Sequence, residues 1–244
     1  MKNQKQTIAC IIQARTGSKR FPKKILTKIK NKTILEHIIS FLKFSKYTDK
    51  IIIATSILKE DDIVEDIAKE NGVAFFRGDE NDVLSRYFYC AKKFNIDIIV
   101  RITADNPLID PEIVDTVIEE IVSGKYDYVS NMIKQTYPLG YLVEAMTFQT
   151  LKKIHVSKTD SENREHVTPS LRSNEEKFKI KNISTLKEFD RHEWRLTLDS
   201  KEDLKLIKII FDKLFKPNEY IKYERVVELI DENNSLLDIN KNLR

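Results

Sequence analysis

Glycine is scarce in this sequence. The five glycines never fall into GxGxxG or GxxxxGK(S/T), so neither a dinucleotide fingerprint nor a P-loop is available to hold phosphates. Cysteine is scarcer, with two residues. Cys10 lies in an apolar run and Cys90 on an apolar helix face, a placement that suits packing rather than pairing or metal binding. CxxC, HExxH and GxSxG are all missing, which removes the usual zinc, thiol-redox and serine-nucleophile signatures. An excess of one charge is also missing. The 42 basic side chains nearly balance 38 acidic ones, leaving +4, which argues against a dedicated nucleic-acid binder. No apolar run is long enough to cross a bilayer, and MKNQKQ leads into a strand without a cleavable apolar segment. The expectation is a cytoplasmic protein with no membrane partner, folded as a single domain over residues 1–244.

What is present is concentrated near the start. Ile8 to Ile12 is a continuous apolar run, the pattern of a strand covered on both faces in a parallel sheet. It breaks into a loop carrying Arg15, Lys19, Arg20, Lys23 and Lys24 with Gly17 and Ser18 between them. Guanidinium, ammonium, hydroxyl and close backbone approach together suit phosphate oxygens. The loop leaves the C-terminal edge of its strand, where ligands bind in open α/β sheets.

Beyond the loop the pattern alternates. Thr33 caps a helix with apolar positions from Ile34 to Leu42, and Lys50 to Ala54 reads as a strand. SILKEDD opens a helix that Asn71-Gly72 ends, and Val73 to Arg77 is a third strand. After a turn at Gly78 to Asn81, Val83 to Phe94 is a helix and Ile96 to Ile102 a fourth strand. Asp110-Pro111 starts a helix ending at Gly124, and Tyr126 to Ser130 is a fifth strand. The fold class is therefore α/β, a mostly parallel twisted sheet flanked by helices. From residue 131 to 191 the rhythm weakens, which reads as an inserted capping segment with a helix from Thr147 and a strand at Phe178 to Ile183. Trp194 to Asp199 alternates as a further strand before a helix capped by Ser200 and Asp203.

Two carboxylates at strand ends lack capping roles, Asp105 and Asp199. On the rim that carries the basic loop they suit a hard cation bridging phosphates. A metal on Asp105 and Asp199, with Arg15, Ser18, Lys19, Arg20 and Lys24 neutralising a pyrophosphate leaving group, is the apparatus of metal-assisted nucleotidyl transfer. His37 and His155 read as structural or exposed, while His166 and His192 stay open.

These residues carry a resemblance. QARTGSKRFPKKIL is similar to the signature loop of cytidylyltransferases that activate acidic sugars, such as the CMP-3-deoxy-manno-octulosonate and CMP-N-acylneuraminate synthetases. It is most similar to their spore coat polysaccharide biosynthesis protein F subfamily. DDIV, FRGDENDVLSRY, VRITADNPLIDP, REHVTP and RLTLDSKEDL follow in that subfamily's order, from about Ile8 to Phe215. The resemblance implies a nucleotide-diphospho-sugar transferase type of fold and CTP and a small sugar acid as substrates. It also implies Mg²⁺ and a homodimer in which 131–191 reaches the acceptor or the partner. It places Arg15, Ser18, Arg20 and Lys24 on the triphosphate and Asp105 and Asp199 on the metal. Base contacts are expected near Ala14, Thr55 and Arg77, and acceptor contacts at Glu144, Arg164, His166 and Arg195, with Arg164, His166 or Arg195 supplying the cation for a sugar carboxylate. Two departures stand out: Lys23 replaces a loop glycine, and Leu142 an acidic residue. The expected reaction is CMP transfer from CTP to an acidic 2-keto sugar for surface polysaccharide. A glycosyltransferase using a nucleotide-diphosphate sugar is the alternative, although ADNP is not a DxD pair. A third reading is a nucleotide-sensing protein without turnover.

Overall fold

The computed structural model describes residues 5–18, 20–157, 160–174 and 176–243. Seven strands form one sheet: β1 (Ile8–Gln13), β2 (Lys50–Ser56), β3 (Ala74–Gly78), β4 (Ile98–Thr103), β5 (Tyr128–Ser130), β6 (Glu144–Thr147) and β7 (Ile180–Asn182). Their spatial order is β3-β2-β1-β4-β6-β5-β7. The first four are mutually parallel, β6 runs antiparallel to both β4 and β5, and β7 pairs parallel with β5.

The continuous apolar run in β1 is explained by its central position. Ile8, Cys10 and Ile12 enter the core on one face of the sheet, and Ala9 and Ile11 enter the core on the other. A strand buried on both faces needs apolar residues at every position. On the first face lie helices α1 (Ile34–Leu42), α2 (Asp62–Glu70) and α4 (Pro111–Val122), joined late in the chain by α8 (Lys201–Leu214) and α9 (Tyr223–Glu232). The second face is covered by α3 (Val83–Lys93), α5 (Phe148–Val156) and the short α6 (Ser161–His166) and α7 (Pro169–Arg172). Helix starts follow the capping chemistry. Thr33 and Glu36 form a reciprocal capping box, Asp110 caps α4 ahead of Pro111, and Ser200 accepts from the Asp203 amide.

Two expectations change. Residues 131–191 are not an appended insertion, because β6 fills the gap between β4 and β5 and β7 extends the sheet. Asn131 closes that excursion, its side chain bonding the Tyr141 carbonyl and the Val143 amide at 2.9 and 2.8 Å. Trp194 to Asp199 is extended but is no sheet strand. Its backbone instead bonds Leu139 and the Asp105 carbonyl, with Leu196 N to Leu139 O at 2.7 Å and Leu198 N to Asp105 O at 2.8 Å. The alternation is nonetheless real, since Trp194, Leu196 and Leu198 are buried in the core. His37 is wholly buried, its Nε2 2.8 Å from the Ile29 carbonyl and its ring edge-on to Phe211 and Phe215. Among the described residues, no helix is long and apolar enough to cross a membrane.

Candidate functional site

The basic loop is anchored by a carboxylate that the sequence reading did not single out. Asp61, buried at the N-cap position of α2, accepts the Thr16 amide at 2.7 Å, the Thr16 hydroxyl at 2.8 Å and the Ser56 hydroxyl at 2.5 Å. The loop then folds back, with Lys23 N bonded to Thr16 O at 3.0 Å. Lys23 takes the left-handed conformation, φ 56°. A side chain in that conformation costs about 1 kcal/mol, which is why glycine would suit this position. Lys23 does not line the cleft below.

The two strand-end carboxylates meet. Lys24 Nζ lies 2.8 Å from Asp199 Oδ1 and 3.3 Å from Asp105 Oδ2. Arg20 Nη2 and Arg195 Nη2 approach Asp199 Oδ2 at 2.9 and 2.7 Å. Asp203, fully buried, holds the arrangement from beneath by accepting the Asp199 amide at 2.9 Å and Arg195 Nε at 3.3 Å. Burial pushes the Asp199 carboxyl up, but Lys24, Arg195 and Arg20 outweigh it, so the group sits below the ordinary carboxylate range.

Two cavities share this rim. The larger, about 550 Å³, lies over the loop and is lined by Ala14, Arg15, Ser18, Arg20 and Lys24 together with Asp105 and Asp199. Residues at the exit of β1, just after β4 and at the end of the extended segment before α8 thus converge on one cavity. Arg15 reaches across it to Glu80 at 3.2 Å. Lys19 lies outside the described residues. Two expected nucleotide contacts are displaced. Thr55 is buried within β2 away from the cavity. Arg77 ties β3 to the β2–α2 connection, donating to the Ser56 and Leu58 carbonyls at 2.9 and 2.8 Å and to Asp62 at 2.6 Å. Sequence reasoning missed Arg86, a buried guanidinium lining the same cavity with no carboxylate partner among the described residues. Its Nη1 donates to the Asp79 carbonyl at 2.8 Å.

The second cavity, about 300 Å³, opens on the other side of Asp105 and Asp199. Expected acceptor residues Glu144, His166 and Arg195 line it, and so does Leu142, the residue that departs from similar sequences. Arg164 does not. Its guanidinium is held by Asp82, the N-cap of α3, so it locks α6 onto α3. Glu144 is not a free ligand either. Arg101 Nη1 lies 2.5 Å from one oxygen and the Tyr128 hydroxyl donates to the other. Burial pushes Glu144 up while Arg101 holds it down, and the net direction is down. Arg101 and Arg172 also line this cavity and were not found from sequence. Gly140 forms its wall at φ 114°, where an added Cβ would sit 2.6 Å from the Leu196 carbonyl. Only glycine lets the two chain segments approach so closely.

The donor set fits a hard cation. Asp105 and Asp199 both face the point now reached by one ammonium, both present oxygen, and Asp199 is biased toward its ionised form. Two carboxylates with remaining positions open to phosphate and water are the arrangement Mg²⁺ favours. Among the described residues the one group of three carboxylate or imidazole donors within 4.8 Å is Asp190, His192 and Glu193, a largely exposed cluster outside both cavities.

The chain matches the cytidylyltransferase family model over residues 9–241. It is 38% identical over 236 residues to an uncharacterized protein of Methanocaldococcus jannaschii, covering 96% of this chain and 94% of that one. It is 32% identical over 213 residues to the spore coat polysaccharide biosynthesis protein SpsF of Bacillus subtilis, covering 84% and 87%. A solved cytidylyltransferase of Leptospira borgpetersenii superposes with TM-score 0.90 at 35% identity, covering 96% and 97%. The chain belongs to the cytidylyltransferase family and is a nucleotidyltransferase.

Proposed function

We propose that this cytidylyltransferase transfers CMP from CTP to an acidic 2-keto sugar, releasing pyrophosphate, as a step toward a surface polysaccharide. One observation carries the reading: two cavities meet at Asp105 and Asp199, the carboxylates that Lys24 bridges, one floored by a cationic loop and the other lined by arginines. The name of the Bacillus subtilis relative supports the polysaccharide setting, and the motif resemblance supports the sugar acid and CTP.

The chemistry follows from position. CTP lies in the larger cavity with its β- and γ-phosphates against Arg15, Ser18 and Arg20, donors that also stabilise the departing pyrophosphate. The acceptor lies in the smaller cavity, so its hydroxyl attacks the α-phosphorus in line at the shared rim. A bond forms from that oxygen to phosphorus as the bond to the β-phosphate oxygen breaks, pyrophosphate departs, and the hydroxyl proton is released to solvent. Asp105 and Asp199 would hold Mg²⁺, which when bound would supply neutralisation of phosphate charge. Lys24, which bridges those carboxylates without nucleotide, is then free to turn to phosphate oxygen. Asp203 keeps Asp199 and Arg195 from shifting when these charges rearrange. We further read the working unit as a homodimer, which sedimentation tests.

Pyrophosphate release from CTP and Mg²⁺, measured with a panel of 2-keto sugar acids, tests the proposal. Release with at least one of them is expected. Absence of both release and CTP binding overturns it.

A further inference from the structure

Three arginines line the smaller cavity, and two are committed. Arg101 is paired with buried Glu144, and Arg195 with Asp199 and Asp203. The third, Arg172, makes no side-chain hydrogen bond or ion pair among the described residues. Glu144, whose charge Arg172 helps to stabilise, already has both oxygens engaged, by Arg101 and by the Tyr128 hydroxyl. The backbone that carries Arg172 is fixed. Pro169 opens α7, Leu171 is wholly buried in the core, and Arg172 N bonds the Thr168 carbonyl at 3.3 Å. Beside it, Thr168 and His166 line the same cavity. A half-buried guanidinium with its fork vacant on a rigid support is a preorganised partner for a planar, charged oxygen group.

We propose that Arg172 anchors the carboxylate of the acceptor and so selects anionic over neutral sugars. This deepens the proposed function and rests on the reading that the smaller cavity receives the acceptor. The residues expected to do this from sequence are otherwise engaged, Arg164 with Asp82 and Arg195 with the rim carboxylates. Arg172 does not line the basic loop's cavity, so its loss should leave CTP binding alone.

The test uses the full chain with CTP, Mg²⁺ and two groups of acceptors: 2-keto sugar acids (3-deoxy-manno-octulosonate and N-acetylneuraminate, with their methyl esters) and sugar phosphates. Arg172→Gln is expected to raise KM for the accepted sugar acid by about 100-fold, with KM and Kd for CTP unchanged within about twofold. Arg172→Lys, which keeps the charge and loses the fork, should recover about a tenth of the lost affinity. Methyl esters should not distinguish wild type from Arg172→Gln. An acceptor KM within threefold of wild type in Arg172→Gln, or equal rises for CTP and acceptor, overturns the assignment. Use of sugar phosphates and no sugar acid also overturns the carboxylate. Should the wild type fail to bind CTP, the parent reading falls. Calorimetric titration of pyruvate into wild type and Arg172→Gln then decides the anion site separately, with equal affinities counting against it.

Discussion

The two walls that meet at Asp105 and Asp199 are built by opposite means. The donor wall comes from one short loop whose cations reach into open space, with the Arg20 side chain 71% exposed and that of Arg15 34%. Its fixed point lies below, where Asp61 binds Thr16 and Ser56. The acceptor wall is assembled from β4, β6, α7 and the extended segment before α8, and its charges are mostly buried against each other. Arg101, Glu144 and Arg195 side chains are 12%, 3% and 11% exposed. The difference teaches that the solvent-facing charges of the first wall, such as Arg20, carry little of the fold, whereas a charge on the second also holds it. Substitutions should therefore separate on the two walls, activity without stability on one and stability together with activity on the other.

The largest expected effect is at the residue both walls share. Asp199→Asn removes the charge that gathers Lys24, Arg20 and Arg195, and kcat for CMP transfer should fall about 10³-fold, as for loss of a transition-state charge partner. Steady-state pyrophosphate release measures it, and a loss under tenfold would mean that the walls do not meet functionally. Next comes Glu144→Ala, which leaves Arg101 buried without its counter-ion and the Tyr128 hydroxyl without its acceptor. Chemical denaturation should show a loss of about 3 kcal/mol. Arg20→Ala, the matched change on the donor wall, should alter stability by less than about 0.5 kcal/mol while weakening CTP. Equal destabilisation by the two variants would erase the contrast.

The same asymmetry decided what could be read from sequence. The donor wall was legible because its information is local: an apolar run of five, a strand end and the basic residues after it all lie between Ile8 and Lys24. Asp105 and Asp199 were found by elimination, since neighbouring Asp110 and Ser200 take the capping roles. The acceptor wall depends on distant partners. Glu144 to Thr147 is four residues with no alternation, and it becomes a strand because β4 and β5 leave a gap that only it fills. Trp194 to Asp199 shows the right alternation, yet its hydrogen-bond partners are loops at the sheet edge. Arg164 looked like a ligand cation because Asp82 is 82 positions away. Leu171 and Pro169 were the usable sign for Arg172, an apolar anchor and a helix start beside a cation.

A third expectation concerns a carboxylate on neither wall. Asp110 is buried where it caps α4 and accepts the Tyr223 amide at 2.8 Å. Burial pushes its carboxyl up to about 6, more than the two backbone amides pull it down. The folded protein then keeps a proton that the unfolded chain releases. This contribution to stability is whole below about pH 4 and is lost as pH rises through about 6. Asp110→Asn cannot titrate, so the fall across that window, about 2 kcal/mol in the wild type, should flatten. Denaturant midpoints at pH 4, 5, 6 and 7 give the slope, and an unchanged slope in Asp110→Asn would overturn its assignment to Asp110.

The smallest effect is the sharpest on the donor wall's extent. Arg77 follows an apolar strand and precedes Gly78, so in sequence it resembles a base or phosphate contact. In the structure its guanidinium is engaged by Asp62, Glu65 and the carbonyls of Ser56 and Leu58. The acidic partners lie partly in solvent, Asp62 at 54% side-chain exposure, so screening leaves the network worth about 1 kcal/mol or less. Arg77→Ala should lower the denaturation midpoint by that amount and leave KM for CTP within about twofold, because nothing in the cavity changes. A tenfold rise in that KM would extend the donor wall from the basic loop to the end of β3. It would also show that nucleotide draws Arg77 away from its four partners.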